Sequence, residues 1–334
     1  MPELNADQKY LVEEFYEDYR AGRLSRRSFM RRIVFIMGSV AAAIAVMSAM
    51  GCTAEELPAP DEPMPTPEPG ETPVVSPPTS EATAGADAAL VPVPGATSPF
   101  SVPEGHPAVE TSRVTFTSQG DEIAAYLARP AGDGVHAAVL VCHENRGLNA
   151  HIEDVARRFA VAGYVALAID LLSREGGTAS HGSDEVPGLL GQAGPERHVA
   201  DFIAGYQYLQ GLDDVDGERI GMNGYCFGGG VTWETATRLP DLKAAVPFYG
   251  RAPDLARVAD IRAAVLGVYG ELDTRINAGI EPLEQALIAS GVTHQINVYP
   301  GANHAFHNDT GGRYVEEQAT QAWVDMLAWF ARYL

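Results

Sequence analysis

The sequence predicts an α/β fold: a doubly wound, mostly parallel sheet with helices on both faces. Three observations carry this. Short apolar runs, such as AAVLVC at 137–142, have the pattern of strands buried on both faces. Segments of helical periodicity separate them. At 219–230 the stretch RIGMNGYCFGGG passes from an apolar strand through a glycine-rich turn into a helix.

In chain order, Arg113–Ser118 alternates and pairs with Asp121–Arg129 across a Gln119-Gly120-Asp121 turn. Ala137–Cys142 is a buried strand. Asn149 caps a helix running to about Ala162, ended by Gly163. Tyr164–Ile169 is a further strand. Ser173–Gly194 is Gly-rich and reads as a long irregular loop. A helix follows from Pro195 to Gln210. After the strand at Arg219–Asn223 a helix extends to about Arg238. Leu242–Phe248, Ala263–Tyr269 and His294–Tyr299 are strands, Asn277–Ser290 is a helix, and Tyr314–Tyr333 is a closing amphipathic helix. Ligands of such sheets bind at the carboxyl ends of the strands. The loops after Cys142, Asn223, Phe248, Tyr269 and Tyr299 are therefore the ones to search.

Cys226 stands at the centre of Gly224-Tyr225-Cys226-Phe227-Gly228, a glycine-x-nucleophile-x-glycine turn. Such a turn holds its central residue in a strained conformation above the sheet. The helix behind it favours a thiolate and points N–H groups at a developing oxyanion. A buried structural cysteine is the plainer alternative. Two downstream residues argue against it. Asp273 follows the strand that ends at Tyr269, and His304 follows the one that ends at Tyr299. Nucleophile, acid and histidine in this order are the arrangement of the α/β-hydrolase fold. A neutral His304 is needed as base, so activity should fall below roughly pH 6.

The chain has 334 residues and a net charge of −21, which makes nucleic acid an unfavourable partner. Ser25-Arg26-Arg27-Ser28-Phe29-Met30-Arg31 has the form of a twin-arginine export signal. Ile33–Met50 carries no charge, and is also just long enough to be an uncleaved membrane anchor. Gly51-Cys52 is similar to the end of a lipoprotein cleavage box, which makes Cys52 the lipidation candidate. Residues 1–51 are thus set apart as a signal, with the export machinery and the membrane as partners. The body would lie outside the cytoplasmic membrane, tethered or released. Within residues 1–24, Leu11, Phe15 and Tyr19 recur at helical spacing, and no function attaches to them. Residues 52–110 are rich in Pro, Glu, Thr, Ala and Ser and read as an extended spacer. Residues 111–334 form the catalytic body.

Together GYCFGGG (224–230), PFYG (247–250), GELD (270–273), YPGANHAFHND (299–309) and HENRGLN (143–149) resemble the dienelactone hydrolase family, from about Ser112 to Leu334. The resemblance implies that Cys226 attacks a lactone or ester carbonyl and that His304, held by Asp273, is the general base and acid. It also implies that Glu144 lies near the thiol and takes part in forming the thiolate. The backbone N–H groups of Phe227 and Asn145 become the expected oxyanion donors. Tyr249 lines the pocket or packs in the core. Family enzymes hold a substrate carboxylate with arginines, for which Arg146, Arg174 and Arg197 are the candidates, with Arg313 beyond His307-Asn308-Asp309. None is assured as the fixed bidentate clamp a carboxylate needs, so the expected substrate widens to small esters and lactones.

Other chemistries have less support. GYCFGGG lacks the lysine of a phosphate-binding loop, and no cofactor is expected. His304, His307 and Asp309 lack further ligands at metal spacing, so no metal is expected. His151, His181 and His198 read as solvated or capping. The alternatives to a lactone hydrolase are a broad carboxylesterase or acyl-thioester hydrolase, and a non-catalytic binding lipoprotein on the same scaffold. The sequence leaves the oligomeric state open.

Overall fold

The computed structural model describes residues 4–49 and 90–334. Cys52 and most of the expected spacer therefore lie outside the described residues. Three helices come first: α1 (Ala6–Arg20), α2 (Arg26–Met37) and α3 (Val40–Ala49). The body follows as β1 (Val109–Ser118), β2 (Asp121–Pro130), β3 (His136–Cys142), α4 (Ala150–Val161), β4 (Val165–Ile169), α5 (Val186–Ala193) and α6 (Pro195–Gln210). It continues as β5 (Val215–Tyr225), α7 (Phe227–Ala236), β6 (Ala244–Phe248), β7 (Ala264–Gly270), α8 (Thr274–Asn277), α9 (Ile280–Ala289), β8 (His294–Tyr299) and α10 (Glu316–Tyr333).

The sheet has eight strands in the order β1-β2-β4-β3-β5-β6-β7-β8. β2 is antiparallel to both β1 and β4, and every other pairing is parallel. The central strands are buried along their length because helices cover both faces, which is why they are continuous apolar runs. On one face Phe159 of α4 meets Trp323 and Phe330 of α10, with ring centroids 4.9 and 6.0 Å apart. The strand–helix order and most boundaries agree with the sequence pattern. Asn149 caps α4 as expected, accepting from His151 N and Ile152 N.

Three departures matter. The expected irregular loop ends in a helix: α5 packs against α1 and α2. Residues 90–108 already lie on the body, so the spacer is shorter than 52–110: Val93 and Val102 are buried, and Asp154 accepts from Val102 N at 2.6 Å. Most importantly, residues 4–49 do not stand apart. Tyr10, Leu11, Val12 and Phe15 of α1 are buried, as are Phe29, Ile33 and Ile36 of α2, all in the core shared with the sheet. Burying such side chains contributes about 1.5–3 kcal/mol each, enough to hold a short helix in place. A capping box at Asn5 and Gln8 starts α1, and the Asn5 amide also donates to Gly191 O of α5 at 2.8 Å.

Among the described residues no single helix is long and apolar enough to cross a membrane. Arg26–Met37 and Val40–Ser48 pass that test only together, and they meet at 109°.

Candidate active site

β5 ends at Tyr225 and α7 begins at Phe227, so Cys226 occupies the turn between them with φ 59° and ψ −117°. A non-glycine residue in this region is strained and persists only where its surroundings fix it. Here Cys226 N donates to Phe248 O at 3.0 Å. Gly228 makes the turn feasible: a Cβ there would stand 2.4 Å from His143 O.

β7 delivers Asp273, which caps α8, and the loop after β8 delivers His304. His304 Nδ1 and Asp273 Oδ2 are 2.6 Å apart, and both side chains are buried. The other face of the imidazole looks toward the thiol: the Cys226 sulfur, a ring nitrogen of His304 and a carboxylate oxygen of Glu14 lie within 4.8 Å of one another. The three residues expected to form a triad thus converge at one rim of the sheet. Burial alone disfavours an imidazolium, but Asp273 and the neighbouring sulfur outweigh it and hold His304 well above its ordinary value of 6.5. That direction moves the expected acid limb above the pH 6 set by an ordinary histidine. Burial likewise opposes the Asp273 charge, yet His304 and Arg275 keep its carboxyl below the usual range.

Glu144 is buried beside this site and accepts from Asn308 Nδ2 at 2.6 Å through Oε2, while Oε1 has no partner among the described residues. Among the described residues the backbone N–H groups of Phe227 and Asn145 donate to no protein acceptor. Asn145 lines the cleft beside Cys226, and Phe227 follows Cys226 at the start of α7. Tyr249 has φ 39° and its ring packs on the His304 ring, centroids 5.0 Å apart. That contact makes it a support for the imidazole.

The arginines divide. Arg146 and Arg313 line the cleft together with Glu144, Asn145 and Cys226. Arg174 instead binds Asp201 and Asp121, and Arg197 binds Glu175 at 2.7 Å. Those two are tied into ion pairs and do not line the cleft beside Cys226. The histidines also differ from expectation. His151 is buried against Asp309 at 3.1 Å, in a cluster that Arg158 joins. His198 is buried, bonded to Leu190 O and edge-on to Phe227 at 5.3 Å. His307 stacks on Tyr225 at 5.0 Å, and burial lowers its basicity. His151, Asp154 and Asp309 stand close enough to hold a cation, but the Arg158 guanidinium already supplies that charge. Cys142 and Cys226 are both free, buried thiols.

Two site residues come from α1. The Cys226 thiol donates toward Glu14 Oε1 and Oε2 at 3.5 and 3.6 Å. The Tyr10 hydroxyl stands 3.3 Å from the sulfur and 3.5 Å from His304 Nε2. Burial first, and the Glu14 charge second, push the thiol above its ordinary value. With α1 seated, the cavity beside Cys226 is about 80 Å³, against roughly 300–1,000 Å³ for pockets that take small ligands. Helical spacing marked the apolar face of α1, but no local pattern marks what that face covers.

The dienelactone hydrolase family model matches residues 123–334. A Salmonella typhimurium protein provisionally named a carboxymethylenebutenolidase is 39% identical over 254 residues, covering 69% of this chain and 90% of its own. A crystal structure of a provisionally named dienelactone hydrolase from Klebsiella pneumoniae is 35% identical, with a TM-score of 0.64, covering 68% of this chain and all of its own. The dienelactone hydrolase of Anabaena variabilis, 22% identical with a TM-score of 0.55 over 68% of this chain and 99% of its own, shares the fold. On these similarities, and with its expected motifs converging at one rim of the sheet, the chain belongs to the dienelactone hydrolase family and is a hydrolase acting on ester bonds.

Proposed function

We propose that the protein hydrolyses a lactone or small carboxylic ester through Cys226, His304 and Asp273, with Glu144 as an auxiliary carboxylate. The observation that carries this is the strained Cys226 elbow facing a histidine whose far nitrogen is held 2.6 Å from a buried aspartate. His304 Nε2 accepts the thiol proton as the sulfur attacks the substrate carbonyl, and Asp273 stabilises the resulting imidazolium. The N–H groups of Phe227 and Asn145 receive the negative charge that develops on the carbonyl oxygen. His304 then protonates the leaving alkoxide. Finally it draws a proton from the water that cleaves the thioester, releasing the acid. Glu144 keeps negative charge near the sulfur, so a resting thiolate is disfavoured and the thiol is shielded from oxidation. Arg146 and Arg313 are the groups available for a substrate carboxylate.

Hydrolysis of cis-dienelactone, p-nitrophenyl acetate and an acyl thioester, each with wild type and Cys226→Ala, tests this proposal. Preference for the lactone supports it, and preference for the thioester favours the broader hydrolase. Activity that survives Cys226→Ala removes the nucleophile.

We also infer that residues 1–51 direct export by the twin-arginine route, with Cys52 as the lipidation site. The motif at 25–31 and the uncharged run after it support this. Fractionation of cells expressing wild type and Arg26→Lys/Arg27→Lys tests it. An extracytoplasmic location unaffected by the double variant would refute it.

A further inference from the structure

The helix ahead of the arginine motif covers the groups that must meet substrate. Its polar face is acidic, and the rim of the cleft is basic. Asp7 binds Arg251 at 2.8 Å, Glu17 binds Arg275 at 3.2 Å and Asp18 binds Arg313 at 3.2 Å. Arg275 also lies over the Tyr10 ring, 4.8 Å from its centroid. Between these pairs Glu14 enters the site. Its carboxylate takes the thiol hydrogen and accepts from the Asn145 side chain at 3.1 Å. Ester hydrolysis leaves a carboxylate at this place, next to the sulfur, so Glu14 sits as a tethered product would.

We propose that α1 is an intramolecular inhibitor: with Glu14 and Tyr10 seated on Cys226 and His304 the enzyme is latent, and it acts when α1 is displaced or removed. This rests on Cys226 being the nucleophile, but concerns access to it and not the identity of the substrate. An acidic helix fits the cleft by charge, and its apolar residues Leu11 and Phe15 are fully buried beneath it. An ester cannot reach the sulfur while the Glu14 carboxylate and the Tyr10 hydroxyl are both in contact with it.

Thiol alkylation reads access without needing the right substrate. The full chain, with Cys52→Ser and Cys142→Ala so that Cys226 alone reports, is treated with iodoacetamide, and p-nitrophenyl acetate hydrolysis is followed in parallel. Two variants are compared with this background. Asp7→Arg/Glu17→Arg/Asp18→Arg breaks the three rim pairs. Tyr10→Ala/Glu14→Ala clears the sulfur even if the helix stays. Either should raise the alkylation rate by at least about tenfold, as expected when the reactive form goes from rare to dominant, and hydrolysis should rise with it. Alkylation of both variants at the wild-type rate overturns the proposal. Faster alkylation with slower hydrolysis also overturns it, because α1 would then be part of the catalytic apparatus. Faster alkylation with no ester cleaved by any form leaves the inhibitor standing and refutes the ester-hydrolase assignment instead.

Discussion

Glu14 and Cys226, 212 positions apart in the chain, meet at 3.5 Å from carboxylate oxygen to sulfur. The thiol therefore faces an acidic partner from α1 as well as the imidazole, and the Glu14 charge adds to burial in holding its proton.

Cys226→Ala should abolish ester hydrolysis, and Asp273→Asn should lower kcat by roughly 10²–10⁴, since a misoriented imidazole accepts the thiol proton poorly. Steady-state kinetics with a chromogenic ester checks this. An Asp273→Asn enzyme within a few-fold of wild type would exclude Asp273 as the orienting group.

The pH profile follows from His304. Its folded value is raised, and catalysis needs the neutral ring, so the acid limb should lie above pH 6.5 and move down in Asp273→Asn. For stability the sign is opposite. The raised value means this pair contributes fully below about pH 6.5 and loses its contribution as pH rises through the folded value. The depressed Asp273 value means its share is present above about pH 4 and is lost as pH falls through the lowered folded value. An acid limb at or below pH 6 in wild type would contradict the pairing seen here.

Asp309→Ala should destabilise the protein by about 3–5 kcal/mol, because it leaves the buried Arg158 and His151 short of an anion. Urea denaturation measures this. A loss under about 1 kcal/mol would mean that the cluster is solvated in solution.

Gly228→Ala should cost about 1–3 kcal/mol or more, since the added methyl collides with the His143 carbonyl and not with a flexible side chain. Activity should fall further than stability, because the same displacement moves the elbow. Melting temperature and kcat, compared in one preparation, separate the two effects.

Arg313→Ala should weaken carboxylate-bearing esters relative to neutral ones by roughly 10–100-fold in KM, the range expected for one charged hydrogen bond. The ratio between the two substrates is the informative quantity, because loosening of α1 through the lost Asp18 pair affects both. An unchanged ratio would remove Arg313 from substrate binding.

Most of the sheet and three convergent residues were legible in the sequence. Cys226, Asp273 and His304 each follow a strand, and strand ends are identifiable locally. α5 was hidden because VPGLLGQA carries two glycines, which weaken helix propensity. Their reason is tertiary: a Cβ at Gly188 would stand 2.6 Å from the Phe35 Cβ, so the glycine lets α2 approach. Arg174 and Arg197 looked available only because their acidic partners are distant in sequence, up to 53 positions for Asp121. Tyr10 and Glu14 were invisible for the same reason. A contact between two ends of a chain leaves no periodicity in either end.

Ser28, Arg31 and Arg32 converge on one carboxylate, that of Asp184 in the loop before α5. Anything that takes hold of α2 here must first take it from Asp184. Because Tyr19 of α1 stacks on Phe29 of α2 at 4.7 Å, a pull there is passed to the helix lying over the sulfur. Displacing α2 from Asp184 would in this way also unseat the helix over Cys226.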